Sequence, residues 1–423
     1  MNDQPLHVAL VSPAYPPLPG GGERYVGALA RALVAAGTKV TVVTSSATAE
    51  ADFWNGVESR SDGDEDGVRV IRLPILPAAG GRDALMRRRR LMVLLSAMPG
   101  DQSSMLAGMA RRFPAIDGLD ETLDGLRGVD VVHGFNISWE HGLVAAHEYS
   151  RRAAVPLVAT PFAHLGESSL GRVARNSTMN HQLRLLRDAA RVLVLTRLEA
   201  DGLARYHVRP ERLDVIGSGV DPIPDDYTES PYFSLEHHEA RGDFGVYIGR
   251  QSFDKGALHA ADAVRLLRQR GRDIALLLIG SAAPEFEKYR RRLSPEDRAA
   301  IRPLGILSDR DKHAVLSRAQ FLMLPSRADS FGIVLLEAWS HGVPVVAARA
   351  GGIPGVVDDG ANGLLVPFAD VDGLANAVER LITDGAFAER VGEAGREKIR
   401  THYSWDVVAA RALEQYRRIT GTG

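Results

Sequence analysis

The chain has 423 residues, of which 45% are hydrophobic and 25% are charged, with a formal net charge of -2 and no cysteine. This balance excludes a disordered or fibrous chain, disulfide bridges, thiolate metal sites and a cysteine nucleophile, and it gives no general electrostatic reason to expect a nucleic-acid partner. At about 150 residues per domain, the length predicts two or three domains. The lack of cysteine and of a leader-like start favours a cytoplasmic protein.

Along the chain, short β-branched runs alternate with longer helical patterns, which is typical of parallel sheets built from βαβ units. The strand candidates in the first half are HVALVS, KVTVVTS, VRVIRLP, VDVVHGF, VPLVAT, RVLVLT and LDVIGSG, and those in the second half are FGVYIGR, IALLLIGS, IRPLGIL, QFLMLPS, PVVAARA and GLLVPF. The Pro-rich and acidic stretch at 218–243 predicts an interdomain connection. We therefore expect an α/β protein with Rossmann-like, doubly wound domains at 1–220 and 243–404.

A glycine cluster follows the first predicted strand. Gly21 and Gly22 would let the backbone approach a phosphate or a sugar, or they serve only a tight turn. The cluster lacks the GxGxxG spacing, and the second strand ends in Thr and Ser, where a dinucleotide site needs an acidic residue for the ribose. An NAD-dependent oxidoreductase is therefore the inferior interpretation.

Two stretches interrupt the pattern of the first half. The acidic stretch at 59–67 predicts an exposed loop. The region at 78–120 contains four arginines at 87–90 followed by helix-compatible apolar residues. This helix is either an amphipathic surface helix with solvated arginines or an element that faces the acceptor or makes a peripheral membrane contact. Its apolar run at 91–98 is far shorter than the roughly 20 residues that span a bilayer.

The segment RADSFGIVLLEAWSHGVPVV at 327–346 contains a single glutamate among apolar residues. The pattern predicts a helix that is apolar all round and therefore buried, closed by Gly342. A buried carboxylate without a partner costs several kcal/mol by an order-of-magnitude estimate. Glu337 should therefore pair with Arg327 or Arg349, or face a polar cavity.

The start of this helix suggests a ligand for that cavity. The backbone N–H groups of Gly332, Ile333 and Val334 would point at an anion such as a pyrophosphate, at the positive end of the helix dipole. Glu337 lies five residues beyond Gly332, about 7.5 Å along the axis at 1.5 Å per residue. Its carboxylate could then accept hydrogen bonds from the ribose diol of a nucleoside diphosphate.

The residues DSFGIVLLE at 329–337, with the following HGVPVVAARAGGIPGVVDDGANGLLV, resemble the motif of the retaining glycosyltransferases of the GT-B fold, most closely glycosyltransferase family four (glycosyl transferases group 1). The resemblance is strongest over 244–368 and weakest over 47–128. It implies two Rossmann-like domains that face each other across a cleft. The first would bind the acceptor, the second would bind the donor, and a final helix at about 405–420 would pack back on the first.

This resemblance implies a hexosyltransferase-like enzyme of the EC 2.4 class. Such an enzyme transfers a sugar from a nucleotide diphosphate sugar, here most simply a UDP- or GDP-sugar, to an acceptor hydroxyl with retention, without a metal or a separate cofactor. Asp329, which replaces the usual glutamate, would contact hydroxyls of the donor sugar. Arg250 and Lys255 would stabilise the departing diphosphate.

The remaining site residues implied by the resemblance lie at predicted strand and helix ends. His164 would face the donor sugar as a catalytic histidine, and His133 and Asn136 would contact an acceptor that is a small molecule, a glycan or a lipid-linked molecule. The donor-binding set is Gly21, Gly22, Gly280, Ser281, Ile306, Leu307, Ser330, Phe331, Gly332, Ile333, Val334 and Glu337.

Two other functions remain open from the sequence. One is a hydrolysing nucleotide-sugar epimerase of the same fold. The other is a non-catalytic protein that binds a nucleotide sugar and in which Asp329 has removed turnover. An epimerase would release nucleotide and an altered sugar from the donor alone, whereas a binding protein would transfer nothing to any acceptor.

Overall fold

The structure, a computed structural model of the chain, describes residues 5–163, 165, 172–234, 243–327 and 329–421. The chain divides into two compact units, Met1–Gly219 with Trp405–Gly423, and Val220–Ser404. Of the stretch at 218–243 that the sequence suggested as a connection, residues 218 and 219 belong to the first unit and the other described residues belong to the second. There Ser230 and Tyr232 are buried, and the hydroxyl of Ser230 donates a hydrogen bond of 2.8 Å to Asp311.

The first unit is built on an eight-stranded sheet with the order β3-β4-β2-β1-β5-β6-β7-β8. All neighbouring strands are parallel except β3 and β4. The strands are β1 (His7–Val11), β2 (Lys39–Ser45), β3 (Ser61–Glu65), β4 (Val68–Leu73), β5 (Val131–Phe135), β6 (Leu157–Thr160), β7 (Arg191–Val194) and β8 (Leu213–Val215). The helices are α1 (Gly21–Ala35), α2 (Asp52–Asn55), α3 (Gly81–Ser96), α4 (Ser103–Ala110), α5 (Leu119–Gly125), α6 (His141–Ala153), α7 (Arg172–Arg175), α8 (Asn180–Asp188) and α9 (Arg197–Arg205).

The acidic stretch expected as a loop contains an edge strand, so the loop prediction was wrong at β3. All five residues of β3 are exposed, as the sequence suggested. The antiparallel pairing brings its acids within reach of arginines of β4, and ion pairs join Asp62 to Arg69 at 2.6 Å and Glu65 to Arg72. A charged edge strand of this kind discourages pairing with another chain.

The four consecutive arginines of α3 have different environments. Arg87 and Arg90 are exposed, as predicted for a surface helix. Arg89 instead forms an ion pair with the buried Glu140, whose carboxylate also contacts the ring of His181. The prediction of solvated arginines is therefore wrong for Arg89, because this position faces α6 and α8.

The second unit has a six-stranded parallel sheet with the order β11-β10-β9-β12-β13-β14. Its strands are β9 (Phe244–Ile248), β10 (Ala275–Ile279), β11 (Ile301–Gly305), β12 (Leu322–Leu324), β13 (Val345–Ala348) and β14 (Leu364–Val366). Its α-helices are α10 (Ala257–Gln269), α11 (Pro284–Arg291), α12 (Pro295–Ala300), α13 (Asp309–Leu316), α14 (Ile333–Ser340), α15 (Val371–Thr383) and α16 (Gly385–Lys398). Strands β9, β10, β12 and β13 are buried throughout, which explains their uninterrupted apolar sequences.

The last helix, α17 (Trp405–Thr420), belongs to the first unit. It packs against α1, and its Tyr416 hydroxyl lies 2.7 Å from Nδ1 of His133 in β5. Arg411 donates a hydrogen bond of 3.2 Å to the carbonyl of Ile216. The chain thus completes its first unit with its final helix.

Each sheet has one point where the strand order reverses, between β1 and β5 in the first unit and between β9 and β12 in the second. In open α/β sheets, ligands bind beyond the carboxyl ends of the strands at such a point. Functional side chains are therefore expected at the carboxyl ends of these central strands in each unit.

Candidate functional site

Two of the predicted site residues meet at the switch point of the second sheet. Lys255 lies in the loop after β9, and Asp329 lies in the loop after β12. The Nζ atom of Lys255 is 3.0 Å from Oδ2 of Asp329, and their side chains keep 39% and 20% of their surface exposed. Arg250, also after β9, is exposed, and the described structure gives its side chain no ion-pair partner. Cationic groups are therefore gathered at the carboxyl end of β9.

The amino end of α14 follows directly from Asp329. Gly332 has a φ of +79°, a left-handed conformation that favours glycine. Its N–H donates to Oδ1 of Asp329 at 3.1 Å, so it is not free for a ligand as the sequence suggested. Within the described residues, no acceptor is found for the N–H groups of Ile333 and Val334. Two of the three predicted donors thus remain available.

The carboxylate of Glu337 pairs with a residue that the sequence did not suggest. Its Oε1 accepts a hydrogen bond of 2.8 Å from Nζ of Lys312, and only 10% of its side chain is exposed. The predicted partners were wrong, because Arg327 and Arg349 each pair with a different aspartate. The Oε2 atom of Glu337 is enclosed and has no hydrogen-bond partner in the described structure. One oxygen of Glu337 is therefore left without a hydrogen-bond donor in the described structure.

Lys312 could have been found from its position on α13. It shares one face of this helix with the buried Val315 and Leu316, three and four residues on. Burial alone would lower the pKa of Lys312, but attraction to Glu337 and hydrogen bonds with Asp309 and Glu337 outweigh this effect and raise it. A lysine on the apolar face of an amphipathic helix predicts a buried carboxylate partner.

The other predicted donor-binding residues of the second unit lie just after β10, just after β11 or just before α14. Gly280 has a φ of +129°, and a Cβ there would lie 2.2 Å from the carbonyl oxygen of Gly249, so close packing of two loops already requires this glycine. Ser281 is exposed. Ile306 is 82% exposed after β11, and Leu307 is half-buried. Ser330 is half-buried, whereas Phe331 is buried.

An aromatic group that the sequence reasoning missed lies in the same unit. Phe253, in the loop after β9, is 47% exposed. Its ring is 5.0 Å from that of His259 and 6.1 Å from that of Phe368, which follows β14. A phenylalanine in the polar loop RQSFDKG was the available signal. Such an exposed ring offers a flat apolar surface beside Lys255.

In the first unit, the glycine cluster opens α1. Gly21 is exposed and Gly22 is half-buried, and the preceding Gly20 begins the helix without a side-chain cap. A Cβ at Gly22 would lie 3.5 Å from the ring of Phe162, which is an ordinary packing distance, so packing against this ring does not require a glycine. His164, the predicted catalytic histidine, lies outside the described residues.

The structure does not support the predicted acceptor contact of His133. This residue has no exposed surface, and its ring nitrogens lie 2.7 Å from the hydroxyl of Tyr416 and 2.8 Å from that of Thr160. Burial lowers the pKa of His133 to about 3, which keeps the ring neutral. Asn136 has a φ of +68° and accepts two backbone N–H bonds, from Ser138 and Trp139, so it shapes the turn after β5.

A second buried glutamate, Glu199, lies in the first turn of α9 and was also missed. Its Oε1 accepts from the N–H of Ala163 at 2.7 Å, and its Oε2 accepts from the N–H of Leu195 at 2.9 Å. Burial raises the pKa of this carboxyl to about 7. The signal was the capping-box sequence Thr196-x-x-Glu199, of which only the bond from the Glu199 N–H to the Thr196 hydroxyl is formed in the described structure. Here the glutamate joins the loops that follow β6 and β7.

A cavity of about 520 Å³ lies in the first unit beside α3, in the region that the resemblance covers least. Arg111, at its wall, is already paired with Asp120 and Glu148. Burial lowers the pKa of His141 to about 4, so this wall residue is neutral at physiological pH. The lining combines apolar side chains with both signs of charge, mainly Phe53, Leu76, Leu85, Arg88, Arg111, Arg112, Asp120, Glu121 and His141.

Across the described ranges, no group of three or more His, Cys, Asp or Glu side chains is arranged so that it could hold a metal ion. Nor is any helix in these ranges long and apolar enough to cross a membrane.

Comparison with solved structures identifies the fold. The chain matches sucrose-phosphate synthase from Thermosynechococcus elongatus with a TM-score of 0.69 at 20% identity, covering 99% of this chain and 100% of the other. The Anabaena HepE protein, solved in complex with UDP and glucose, matches with a TM-score of 0.65 at 18% identity over 96% and 98% of the two chains. Starch synthase IV from Arabidopsis thaliana, bound to ADP and acarbose, matches with a TM-score of 0.70 at 16% identity over 99% and 100%.

Sequence comparison identifies the family. The family described as "Glycosyl transferases group 1" matches residues 244–384, and the "Glycosyl transferase 4-like domain" matches residues 20–219. Alpha-maltose-1-phosphate synthase of Mycobacterium tuberculosis is 32% identical over 276 residues, covering 60% of this chain and 69% of the relative. Glycogen synthase of the same organism is 27% identical over 97% of this chain and 94% of its own. The chain therefore belongs to the group 1 glycosyltransferases, which are enzymes of the GT-B fold that transfer sugars from nucleotide-sugar donors.

Proposed function

We propose that the second unit binds the nucleoside diphosphate of the donor at the carboxyl ends of β9 and β12. The observation that carries this proposal is that, among the described residues, Oε2 of Glu337 has no donor, while the N–H groups of Ile333 and Val334 on the same short helix have no acceptor. A pyrophosphate at the amino end of α14 would accept from these N–H groups. An attached ribose would then lie toward Glu337 and could donate to Oε2.

The same arrangement supports electrostatic catalysis of sugar transfer. As the bond between the anomeric carbon and the donor oxygen breaks, its electron pair passes to the diphosphate, and Lys255, Arg250 and the α14 amino end stabilise the new charge. The acceptor oxygen bonds to the anomeric carbon from the same face, and its proton passes to the departing phosphate. Retention by this route needs no protein nucleophile. His164 is proposed to contact the donor sugar.

The position of the Asp329 carboxylate affects how the sugar of the donor is held. Its carboxylate is already engaged by Lys255 and by the N–H of Gly332. We propose that it contacts a sugar hydroxyl while it keeps the bond to Gly332. It thereby orients Lys255 at a fixed position beside the reacting phosphate.

The donor is proposed to be a UDP- or GDP-sugar. Two of the solved relatives were crystallised with UDP or with ADP, so relatives of this fold accept different nucleobases. We propose that the backbone at Ile306 and Leu307, with Gly280 and Ser281, meets the base and ribose. The acceptor is proposed to bind to the first unit, where the cavity beside α3 and the loop of Gly21 and Gly22 are the candidate surfaces.

A thermal-shift screen tests the donor site directly. The protein is heated with UDP-, GDP-, ADP- and dTDP-sugars, and a ligand that binds only the folded state raises the melting temperature. We expect one nucleotide class to raise it, and Glu337→Gln to reduce this rise. If no nucleotide sugar raises it, or if the variant responds as wild type does, the donor site is wrongly assigned.

Product analysis then tests the reaction. With the selected donor, NMR of the product's anomeric proton distinguishes retention from inversion. An altered sugar released without an acceptor would instead indicate an epimerase.

A further inference from the structure

Helix α3 carries a stripe of exposed side chains that none of the site chemistry uses. Arg87, Arg90, Leu91 and Leu94 follow one another at spacings of three, one and three residues and therefore lie on one side of the helix. Met98 follows two residues after the helix ends at Ser96. Leu91 is 48% exposed, Leu94 is 67% exposed and Met98 is 55% exposed. These five residues are called the α3 stripe below.

The stripe concentrates exposed apolar surface in one part of the first unit. Ten large hydrophobic residues are markedly exposed in the described structure, and four of them lie between 91 and 105. The fourth is Met105 at 48% exposure on the following helix α4. Single exposed apolar residues need no explanation, whereas a cluster of this kind marks an interaction surface.

The stripe does not arise from a loosely attached helix. On the opposite side of α3, Leu85 and Met92 are buried in the core of the first unit. Arg89 adds the ion pair with the buried Glu140. Because the inner side is held by both apolar and ionic contacts, the outer side presents its residues in a fixed arrangement.

The charged residues of this segment are all positive. From residue 87 to residue 100 the sequence contains four arginines and no acidic residue. In the described structure, neither Arg87 nor Arg90 has a carboxylate partner. The nearest acids along the chain are Asp83, one turn earlier, and Asp101, which lies 3.7 Å from Arg184. The stripe therefore offers two unpaired guanidinium groups beside three apolar side chains.

We propose that the α3 stripe docks on an anionic lipid surface. The guanidinium groups would bind lipid phosphates, while Leu94 and Met98 enter the boundary of the acyl chains. Four residues of the helix separate Arg90 from Leu94, about 6 Å at 1.5 Å per residue, and Met98 lies beyond the carboxyl end of α3. Interfacial helices bury their apolar face by about 5–10 Å. A helix whose carboxyl end is inclined toward the acyl chains would therefore keep the arginines among the lipid headgroups and place Leu94 and Met98 at the acyl-chain boundary.

The composition fits a lipid surface better than a second copy of the chain. A stable protein interface uses roughly 20–30 residues on each side, whereas the stripe and Met105 provide six. Leucine, methionine and arginine are flexible side chains, and the stem of arginine can lie along apolar surface while its charge stays with the headgroups. Electrostatic attraction and shallow insertion together suffice for reversible binding.

Vesicle co-sedimentation of the full chain tests this proposal. Vesicles of phosphatidylcholine with phosphatidylglycerol are compared with pure phosphatidylcholine, at low and at raised salt. We expect binding to the anionic vesicles that weakens as salt rises. Arg87→Gln with Arg90→Gln should lower the partition coefficient roughly 30-fold, and Leu94→Gln with Met98→Gln about 10- to 100-fold.

Matched controls use exposed residues elsewhere in the first unit. Leu198→Gln with Val215→Gln removes two apolar residues that are 45% and 41% exposed, and Arg151→Gln with Arg205→Gln removes two exposed charges. These variants should bind the vesicles as wild type does. All variants should melt as wild type does, and the donor-induced rise in melting temperature should persist, since this proposal does not rest on the donor site.

Three outcomes would overturn the proposal. Wild type could fail to bind anionic vesicles, or the stripe variants could bind as tightly as the controls. Alternatively, analytical ultracentrifugation could show a dimer that Leu94→Gln with Met98→Gln abolishes, without vesicle binding. The last result would assign the stripe to self-association.

Discussion

The two units share a doubly wound sheet, but they use the polar groups around their strand ends differently. In the first unit, both ring nitrogens of His133 and both carboxylate oxygens of Glu199 already have partners within the protein. In the second unit, Glu337 keeps one oxygen without a partner, and two N–H groups at the start of α14 have no acceptor among the described residues. Among these particular groups, those of the first unit are saturated and those of the second are not, although other buried atoms of the first unit, such as Nδ1 of His181, also lack a partner in the described structure.

This difference separates structural polar residues from those suited to a ligand. A buried group whose hydrogen bonds are all made within the protein contributes mainly to stability, because removing it leaves its partners without a hydrogen bond. A buried acceptor without a partner is unfavourable until a ligand supplies a donor. Changes to Glu337 should therefore affect ligand binding, whereas changes to His133 or Glu199 should affect the free energy of unfolding.

The largest effect is expected for Lys255→Ala. Its ammonium group is proposed to stabilise charge that develops only as the donor bond breaks, so kcat should fall about 100- to 1000-fold, while the Kd of the donor changes much less. Steady-state kinetics and calorimetric titration of the donor measure the two quantities. Lys288→Ala, an exposed lysine of the same unit, is the control. An increase in KM with unchanged kcat would contradict the assigned role.

Glu337→Gln should weaken the binding of the nucleoside diphosphate roughly 10- to 100-fold, because a hydrogen bond to a charged acceptor contributes about 1.5–3 kcal/mol. The amide oxygen can still accept from Lys312, but its NH₂ group cannot accept from a ribose. Titration calorimetry with the free nucleoside diphosphate measures this loss. An unchanged Kd would show that Oε2 of Glu337 does not contact the ligand. It would also contradict the idea that a buried acceptor without a partner marks the ligand site.

Glu199→Gln should lower the free energy of unfolding by about 1–3 kcal/mol and leave nucleotide affinity unchanged, because the amide faces one of the two N–H donors with its own NH₂ group. The pKa of Glu199 is raised from its ordinary value of 4.5 to about 7. The folded state therefore binds a proton that the unfolded state has released, and this stabilisation is lost as pH rises from about 4.5 through 7.

The difference in melting temperature between wild type and Glu199→Gln should accordingly shrink between pH 5 and pH 8. Melting curves across this range measure it, with Glu211→Gln, a change at an exposed glutamate, as the control. A constant difference would show that Glu199 does not change its protonation in the folded state over this range.

The sequence predicted the strands and the donor motif because both depend on local pattern. Continuous apolar runs mark buried parallel strands, and the stretch from Asp329 to Glu337 contains a strand end, a glycine turn and a helix start within a few residues. Strand β3 was missed because its residues are all exposed and carry no apolar alternation. Its side chains instead form ion pairs with arginines of β4, which lie in a separate stretch of predicted strand.

The partners of the buried polar groups could not be predicted in the same way. Lys312 reaches Glu337 from 25 residues away, and Tyr416 reaches His133 from 283 residues away. Which arginine or lysine meets a given carboxylate depends on how helices pack against the sheet. Hydrophobic pattern predicts that a polar residue is buried, but only the packed structure identifies its partner.

The smallest effect is expected for Asp329→Glu, which tests how the donor sugar is selected. Asp329 is short enough to accept from the N–H of Gly332 while it contacts Lys255. The added methylene group moves the carboxylate forward by about 1.5 Å, which should break the first of these contacts. We expect kcat/KM to change less than 10-fold for one donor sugar, because an alternative hydrogen bond can form.

The ratio of kcat/KM between the glucose and galactose forms of the selected nucleotide donor is the sensitive measurement, since these sugars differ only in one hydroxyl configuration. A carboxylate that contacts the sugar should change this ratio when it moves, whereas one that serves only to cap α14 should not. Asp359→Glu, at an aspartate paired with Arg349, is the control. An unchanged ratio would show that Asp329 does not contact the sugar and has a structural role, as His133 and Glu199 do in the first unit. Glu337 would then be the carboxylate of the second unit that is proposed to contact the donor.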